Sequence, residues 1–428
     1  MLAAPDHYRP PIPPSDAAMT PRLSTMMFLQ FFVWGAWYVT VGNYMAAVGM
    51  GDAIYWAYTV NPIAAIAAPF FLGMVADRWF ATEKVLGVLH LLGGVALIAA
   101  PLFEDAPALF VGMLLVHSLC YTPTLGLANA LAFHHISDQE RQFPLIRVFG
   151  TVGWIVAGVL VSAVLHADET SLPLRVAGIA GLVLGAYAFT LPHRAPPLAG
   201  TRATAREILG IDALRRLGSG PFYVFIAASL LISIPLAAYY AYAPVFVNAA
   251  GLSSPAFRMS FGQMSEVLFM LAMPFFFARL GVKWMLFVGM AAWVLRYALF
   301  ALAAPDAVVW MIMAGIVLHG VCYDFFFVSG QIYVDKKSPP EVRAQAQGFL
   351  VLVTYGVGML IGTPLAGRVF NQVVTGDVTG SLAQWQTFWW IPAAFAAVVA
   401  LFFALAFHDR VDRRDVATPH AGEQPAEP

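Results

Sequence analysis

The sequence predicts an all-α membrane protein whose twelve transmembrane helices form two parallel six-helix repeats. Three observations predict it. Continuous apolar runs about 20 residues long recur along the chain, the length of a bilayer-spanning helix. Lys and Arg are unevenly shared among the segments between those runs. A segment of the first half recurs in the second at an offset of 202 residues.

The chain has 428 residues, 60% of them hydrophobic and 11% charged, with mean hydropathy +0.74. A soluble protein carries about 25% charged residues. So apolar a surface in water would aggregate, so lipid must cover most of the exterior. Within hydrocarbon the backbone satisfies its own hydrogen bonds, which allows helices or a closed barrel. Barrel strands alternate polar and apolar residues; these runs do not. The formal net charge of −1 gives no reason to expect a nucleic-acid partner, and the two cysteines, Cys120 and Cys322, lie inside apolar runs. No disulfide framework or metal-ligand spacing is visible. Residues 1–21 read as a flexible tail, because the first apolar run, from near Met26, is too long for a signal-peptide core.

The runs, in order, are 24–49, 54–76, 85–103, 107–133, 145–165, 174–191, 222–247, 260–280, 284–304, 308–333, 346–370 and 385–407. The expected divisions are a tail over 1–23, a six-helix half over 24–191, a linker over 192–220, a second half over 221–407 and a tail over 408–428. The linker carries Arg194, Arg202, Arg206, Arg215 and Arg216. With the N-terminus inside, 18 of the 23 Lys and Arg residues fall in tails and inner loops. Arg175, Arg258 and Arg368 fall near the outer face, and Arg147 and Arg296 within helices. Positive charge stays inside, so both termini are expected in the cytoplasm; the expected location is the cell inner membrane.

Residues 117–141, HSLCYTPTLGLANALAFHHISDQER, align without gaps on 319–343, HGVCYDFFFVSGQIYVDKKSPPEVR. His117/His319, Cys120/Cys322, Tyr121/Tyr323 and Arg141/Arg343 match. A second echo pairs PFFLGMVADRW (69–79) with PFFFARLGVKW (274–284). Six helices separate the copies, so the repeats are parallel. That is the architecture of major facilitator transporters, with substrate near the midplane between halves.

Several segments combine polar residues with Gly and Pro inside helices: FLQFFVWGAWYV (28–39), YTPTLGLANALAF (121–133), FPLIRVFGTVGWI (143–155), GQMSEVLFMLAMPFF (262–276), LRYALF (295–300), HGVCYDFFFVSG (319–330) and YVDKK (333–337). With these the chain, from about Met26 to Phe407, resembles the nucleoside:proton symporters of the major facilitator superfamily, in their YegT-like branch. The superfamily loop motif is weaker: GMVADRWF (73–80) keeps Gly73, Asp77 and Arg78 but not the Gly-Arg-Arg continuation. The resemblance implies substrate contacts at Arg147 and Thr151 on helix 5, Gln263 and Glu266 on helix 8, and Tyr323 and Asp324 on helix 10. Helix 7 departs from the family. IPLAAYYAYAPVF (234–246) places Leu236 and Tyr239 near positions where the family has Gln and Asn. Tyr239 and, on helix 1, Gln30 complete the expected substrate set.

Ionisable residues inside a membrane are costly and mark function. Gln263 and Glu266 are three apart and share a helix face, as do Arg147 and Thr151, four apart. Glu266 and Asp324 are the candidate proton-coupling groups. The bland alternatives are a structural salt bridge for Glu266, an ion pair with Arg296 for Asp324, and for Arg147 a side chain reaching the inner headgroups. For Arg296 itself the structural reading is preferred. His117 and His319 are expected to make structural hydrogen bonds. The Trp and Tyr residues of helices 1, 4, 5 and 7 suit a flat nucleobase, and a sugar almost as well.

No Walker loop or hydrolase motif appears, so the chain is expected not to be an enzyme. It should need no cofactor beyond a proton gradient. The expected partners are a small-molecule substrate, a nucleoside by resemblance, and the lipid bilayer, with the protein acting as a monomer. The reading is a proton-coupled importer working by alternating access. A proton-driven exporter of apolar compounds and a non-transporting receptor are the alternatives.

Overall fold

The computed structural model describes residues 16–71, 79–196, 211–339, 342–375 and 382–409. The described residues are helical throughout the apolar runs, as a backbone without water requires. Helix α1 covers Asp16–Tyr38 and resumes after a short break as Val41–Ala47. Next come α2 (Ile54–Phe71), α3 (Thr82–Ala99), α4 (Pro107–His134), α5 (Gln139–Gly158) and α6 (Leu172–Ala188). The second half begins with α7 (Gly220–Ala249), followed by one helical stretch, Pro255–Ala303. That stretch is two spans, α8 (255–280) and α9 (282–303). Between them Gly281 takes φ 68°, ψ 175°, a conformation that only glycine adopts without strain. The half closes with α10 (Val309–Lys337), α11 (Arg343–Val351, resuming as Met359–Val373) and α12 (Leu382–Ala406).

Nine stretches among the described residues are long and apolar enough to cross a bilayer, Pro255–Ala303 counted as one. Dividing it at Gly281 and adding the shorter α2 and α6 gives the twelve spans read from the sequence. One boundary moves. Residues 16–23, expected in a tail, already belong to α1, where Met19 and Leu23 are buried. Residues 1–15 and 410–428 lie outside the described residues. So do 72–78, with Gly73, Asp77 and Arg78 of the loop motif, and 197–210, with Arg202 and Arg206. Within the linker, Ile211–Leu217 is a short helix.

Three spans carry a π-helical turn: Val159–Val164 ending α5, Tyr323–Val328 within α10 and Leu352–Gly358 within α11. Such turns widen a helix locally and are frequent at functional sites. Inside each half, α1 packs on α5, α3 on α6, α7 on α11, and the α8–α9 stretch on α12. The halves meet along α2 with α11 and α5 with α8.

At the end of the bundle away from both chain termini, hydrogen bonds clasp the halves together. Asn43 donates to the Pro244 carbonyl at 3.3 Å and Asn248 to Glu169 at 2.6 Å. Ser254 donates to the Ser162 carbonyl at 3.3 Å, and Asn371 to the Asp52 carbonyl at 3.0 Å. Buried Asp168, in the α5–α6 loop, accepts from Ser162 Oγ at 2.7 Å and from the Ala256 amide at 2.9 Å. The second of these bonds satisfies an orphan N–H in the first turn of α8.

At the opposite end, Glu83 is buried at the start of α3 and accepts from His193 at 2.8 Å and the Arg194 amide at 3.0 Å. This ties the start of the linker to the first half. Asp409 accepts from Tyr333 at 2.6 Å and Lys337 at 2.9 Å, tying the chain beyond α12 to α10.

Candidate functional site

The internal repeat becomes a spatial motif. On α4, the Tyr121 ring stacks on His117 with centroids 5.4 Å apart; on α10, Tyr323 stacks on His319 at 5.9 Å. The same offset of 202 relates Trp37 and Tyr38 of α1 to Tyr239 and Tyr240 of α7. Trp37 meets His117 edge-on at 5.4 Å, and Tyr239 stacks on His319 at 5.6 Å. Tyr38 and Tyr240 occupy equivalent positions and touch each other across the two halves, 6.1 Å between rings.

Around that contact lies an aromatic frame. Trp34 of α1 packs on Tyr38 at 5.8 Å and on Trp154 of α5 at 5.4 Å. From the second half come Tyr240, Tyr323 and, in the π turn of α11, Tyr355. The hydroxyls of Tyr240 and Tyr323 lie within reach of that of Tyr355.

The polar groups enter this frame from both halves. On α8, the Glu266 side chain is 20% exposed, with Oε2 3.9 Å from His319 Nε2. Gln263, one turn earlier, has a buried Oε1 without a partner among the described residues. On α5, the Arg147 guanidinium lies over the Phe31 ring, 4.2 Å from its centroid, and its charge reaches Glu266 and Tyr323 in the other half. It therefore points inward across the interface, not out to the headgroups. Thr151 follows one turn later on the same face, partly exposed.

The comparisons with known proteins agree with this architecture. A family model described as "Nucleoside H+ symporter" matches residues 17–412. YegT of Escherichia coli K12 is 37% identical, over 93% of this chain and 98% of that one. The xanthosine permease of the same organism is 33% identical over 93% of this chain and 99% of its own. The crystal structure of the nucleoside transporter NupG superposes with a TM-score of 0.82 at 30% identity, covering 91% of this chain and 99% of that one. The chain belongs to the nucleoside:proton symporter family.

Its relatives are transporters, and the symporter fold accounts for the bundle of apolar helices. Two of the expected site residues, Gln30 and Tyr239, are packed inside their own half. Gln30 is fully buried within the first half, its amide nitrogen donating to Thr124 at 2.7 Å and its oxygen bonded to His90 at 2.8 Å. Its backbone carbonyl also accepts from Tyr121 at 2.6 Å. Gln30 thus knits α1 to α3 and α4 behind the aromatic frame. Tyr239 is buried too, between His319 and Phe300 and beneath the Arg296 guanidinium at 4.0 Å. Its neighbour Tyr240 is the α7 tyrosine that faces the other half.

Asp324 is fully buried, close enough to Glu266 for their charges to interact, with neither carboxylate oxygen hydrogen-bonded among the described residues. It does not pair with Arg296. That guanidinium lies over the Tyr239 ring and donates through Nε to the Gly315 carbonyl at 3.1 Å, while Nη1 and Nη2 have no hydrogen-bond partner among the described residues. Tyr240 stood among the helix 7 aromatics that the sequence offered to a nucleobase, whereas sequence reasoning missed Tyr355. The repeat offset already held the signal for Tyr240, through its match to Tyr38.

Proposed function

We propose that this chain imports nucleosides together with protons across the cell inner membrane, by alternating access, with both termini in the cytoplasm. The observation that carries the reading is Glu266. It is a carboxylate at the interface of two rocking halves, with Gln263 one turn away on its own helix and the cation Arg147 facing it from the other half.

The parts suit a nucleoside. Aromatic faces on Trp34, Trp154, Tyr240 and Tyr323 offer stacking surface to a flat base. The unpartnered Gln263 carbonyl accepts from a base N–H or a ribose hydroxyl, and a buried polar atom left without such a partner is costly. Arg147 and Thr151 supply donors from the opposite wall, so bound substrate bridges the halves.

Coupling follows from where the charges sit. Arg147 and Glu266 belong to different halves, so rocking changes their separation and with it the cost of an ionised carboxylate. Proton and substrate binding at Glu266 then favour the same conformation, and by linkage each favours the other. The clasp at the end away from the termini corresponds to a state closed towards the outside. No cofactor is required beyond the proton gradient. A monomer suffices, because both walls of the site come from one chain. An exporter of apolar compounds would be poorly served by a site holding Arg147, Gln263 and Glu266.

Uptake of labelled nucleosides into proteoliposomes, with and without an inward proton gradient, tests the proposal. Accumulation only with the gradient is expected. Equal uptake in both conditions would leave a facilitated carrier instead.

A further inference from the structure

The buried histidine of the second half is a titratable group that the transport cycle described so far does not use. His319 is 3% exposed, and its ring is stacked between Tyr239 and Tyr323. Nε2 points at Glu266 Oε2 across 3.9 Å, and Nδ1 has no partner among the described residues. Its repeat mate is arranged differently. His117 gives Nδ1 to the Gly93 carbonyl at 3.0 Å, leaves Nε2 without a partner and forms no ion pair among the described residues. Each of the two matched histidines has one ring nitrogen without a partner among the described residues, but only His319 aims its other nitrogen at a carboxylate.

We propose that His319 is the second half of the proton site, a neutral imidazole that accepts the hydrogen bond of protonated Glu266. The inference rests on the reading of Glu266 as the coupling carboxylate. A hydrogen bond needs about 2.7–3.2 Å, so the gap must close by roughly 1 Å, within reach of a Glu side chain that is one-fifth exposed. The stack of Tyr239 and Tyr323 holds the ring plane, so the approach falls to the carboxyl.

The charged and titratable groups around the ring decide its role. Arg296 of α9 lies near enough to act on it. A second buried cation beside Arg296 would be costly, so the ring stays neutral; in the proposed site its one proton sits on Nδ1, which leaves the Nε2 lone pair to accept from Glu266. Tyr239 and Tyr240 face it from α7 and Tyr323 from α10, all as phenols, and Glu266 faces it from α8. Asp324 and, from the other half, Arg147 act on the same region through Glu266. Arg147 favours the carboxylate when the halves bring it close. His319, on the same half as Glu266, favours the acid in every conformation. The proton moves only between bulk water and the Glu266 carboxyl oxygen; the imidazole gains and loses none.

The test measures uptake against external pH in proteoliposomes holding the wild type, His319→Leu, His319→Gln or Glu266→Gln. The wild type must accumulate nucleoside with the gradient and Glu266→Gln must not; failure of either overturns the reading of Glu266 itself. Given both, His319→Leu should need about tenfold more protons for half-maximal uptake, the equilibrium factor of one hydrogen bond. His319→Gln, whose amide oxygen can still accept, should recover part of that loss. Superimposable pH profiles overturn the inference. So does a shift towards fewer protons, which would mean that the ring donates to the carboxylate. Should neither variant fold, infrared difference spectra of the wild type decide. The acid band lost in Glu266→Gln should lie at the frequency of a hydrogen-bonded carboxylic acid, and a band of an isolated acid overturns the proposal.

Discussion

Replacing Asp168 by Ala should loosen the clasp at the end away from the termini. The carboxylate caps the first turn of α8 through the Ala256 amide at 2.9 Å, the one of its two bonds that crosses between the halves. Loss of an N-terminal cap costs about 0.5–2 kcal/mol. The Ser162 hydroxyl loses its acceptor as well, while relief of the carboxylate's desolvation offsets part of the cost. A net of about 1–2 kcal/mol changes a two-state ratio by a factor of about 5–30. Spin labels at Ala47 and Ser253, with Cys120 and Cys322 replaced, report the distance between the halves there. Asp168→Ala should enrich the longer-distance population by that factor, and an unchanged distribution would refute the reasoning. The pH dependence has a definite sign. Burial raises the Asp168 carboxyl above its usual range, against the lowering effect of the bonds from Ser162 and Ala256. The clasped state therefore holds the proton more tightly than the released state, where Asp168 returns to its ordinary value. Acid favours the clasp, and raising pH through the window between the two values weakens it. Asp168→Asn keeps an acceptor for Ala256 and should stay clasped with no such dependence.

Two further outcomes follow from the interior. Arg147→Ala removes a cross-interface donor and should weaken nucleoside binding by about 1–3 kcal/mol, read by calorimetry; unchanged affinity would return Arg147 to a purely structural role. Arg296→Gln loses the Tyr239 stack and the Gly315 bond and should cost about 1–3 kcal/mol of stability. Asp324→Asn should cost little, and melting curves of the double variant should equal the sum within about 0.5 kcal/mol; a rescue in the double variant would revive the ion pair.

The span count was legible because hydrocarbon thickness imposes run length, and the parallel halves because the repeat keeps His, Cys, Tyr and Arg in register. Arg147 and Glu266 stood out because ionisable groups are rare in such helices, and the resemblance marked Gln263 beside them. Facing was harder to read. On α1 and α7 nearly every side is apolar, so no stripe tells which way Gln30 or Tyr239 points. Gln30 turned into its own half because His90 and Thr124, distant in sequence, satisfy its amide there. Tyr239 and Tyr240 differ by one position, about 100° on a helix, enough to send one into the core and the other to the interface. The ion pair of Asp324 with Arg296, one of two alternatives, rested on neighbouring helices, yet adjacency in sequence does not set rotation about a helix axis. The π turn at Tyr323–Val328 also shifts the register of α10 where Asp324 sits. The start of α1 was misplaced because a helix can outrun the membrane when residues such as Met19 and Leu23 find apolar neighbours.

The most direct test of the account follows nucleoside and proton fluxes together in the same proteoliposomes. With wild-type protein and an inward proton gradient, nucleoside should accumulate while protons enter with it, and each flux should stop when the other is removed. Glu266→Gln should exchange bound nucleoside across the membrane yet accumulate none and carry no protons. Normal concentrative uptake by Glu266→Gln, or nucleoside accumulation without proton entry in the wild type, would contradict the assignment of this carboxylate as the coupling group.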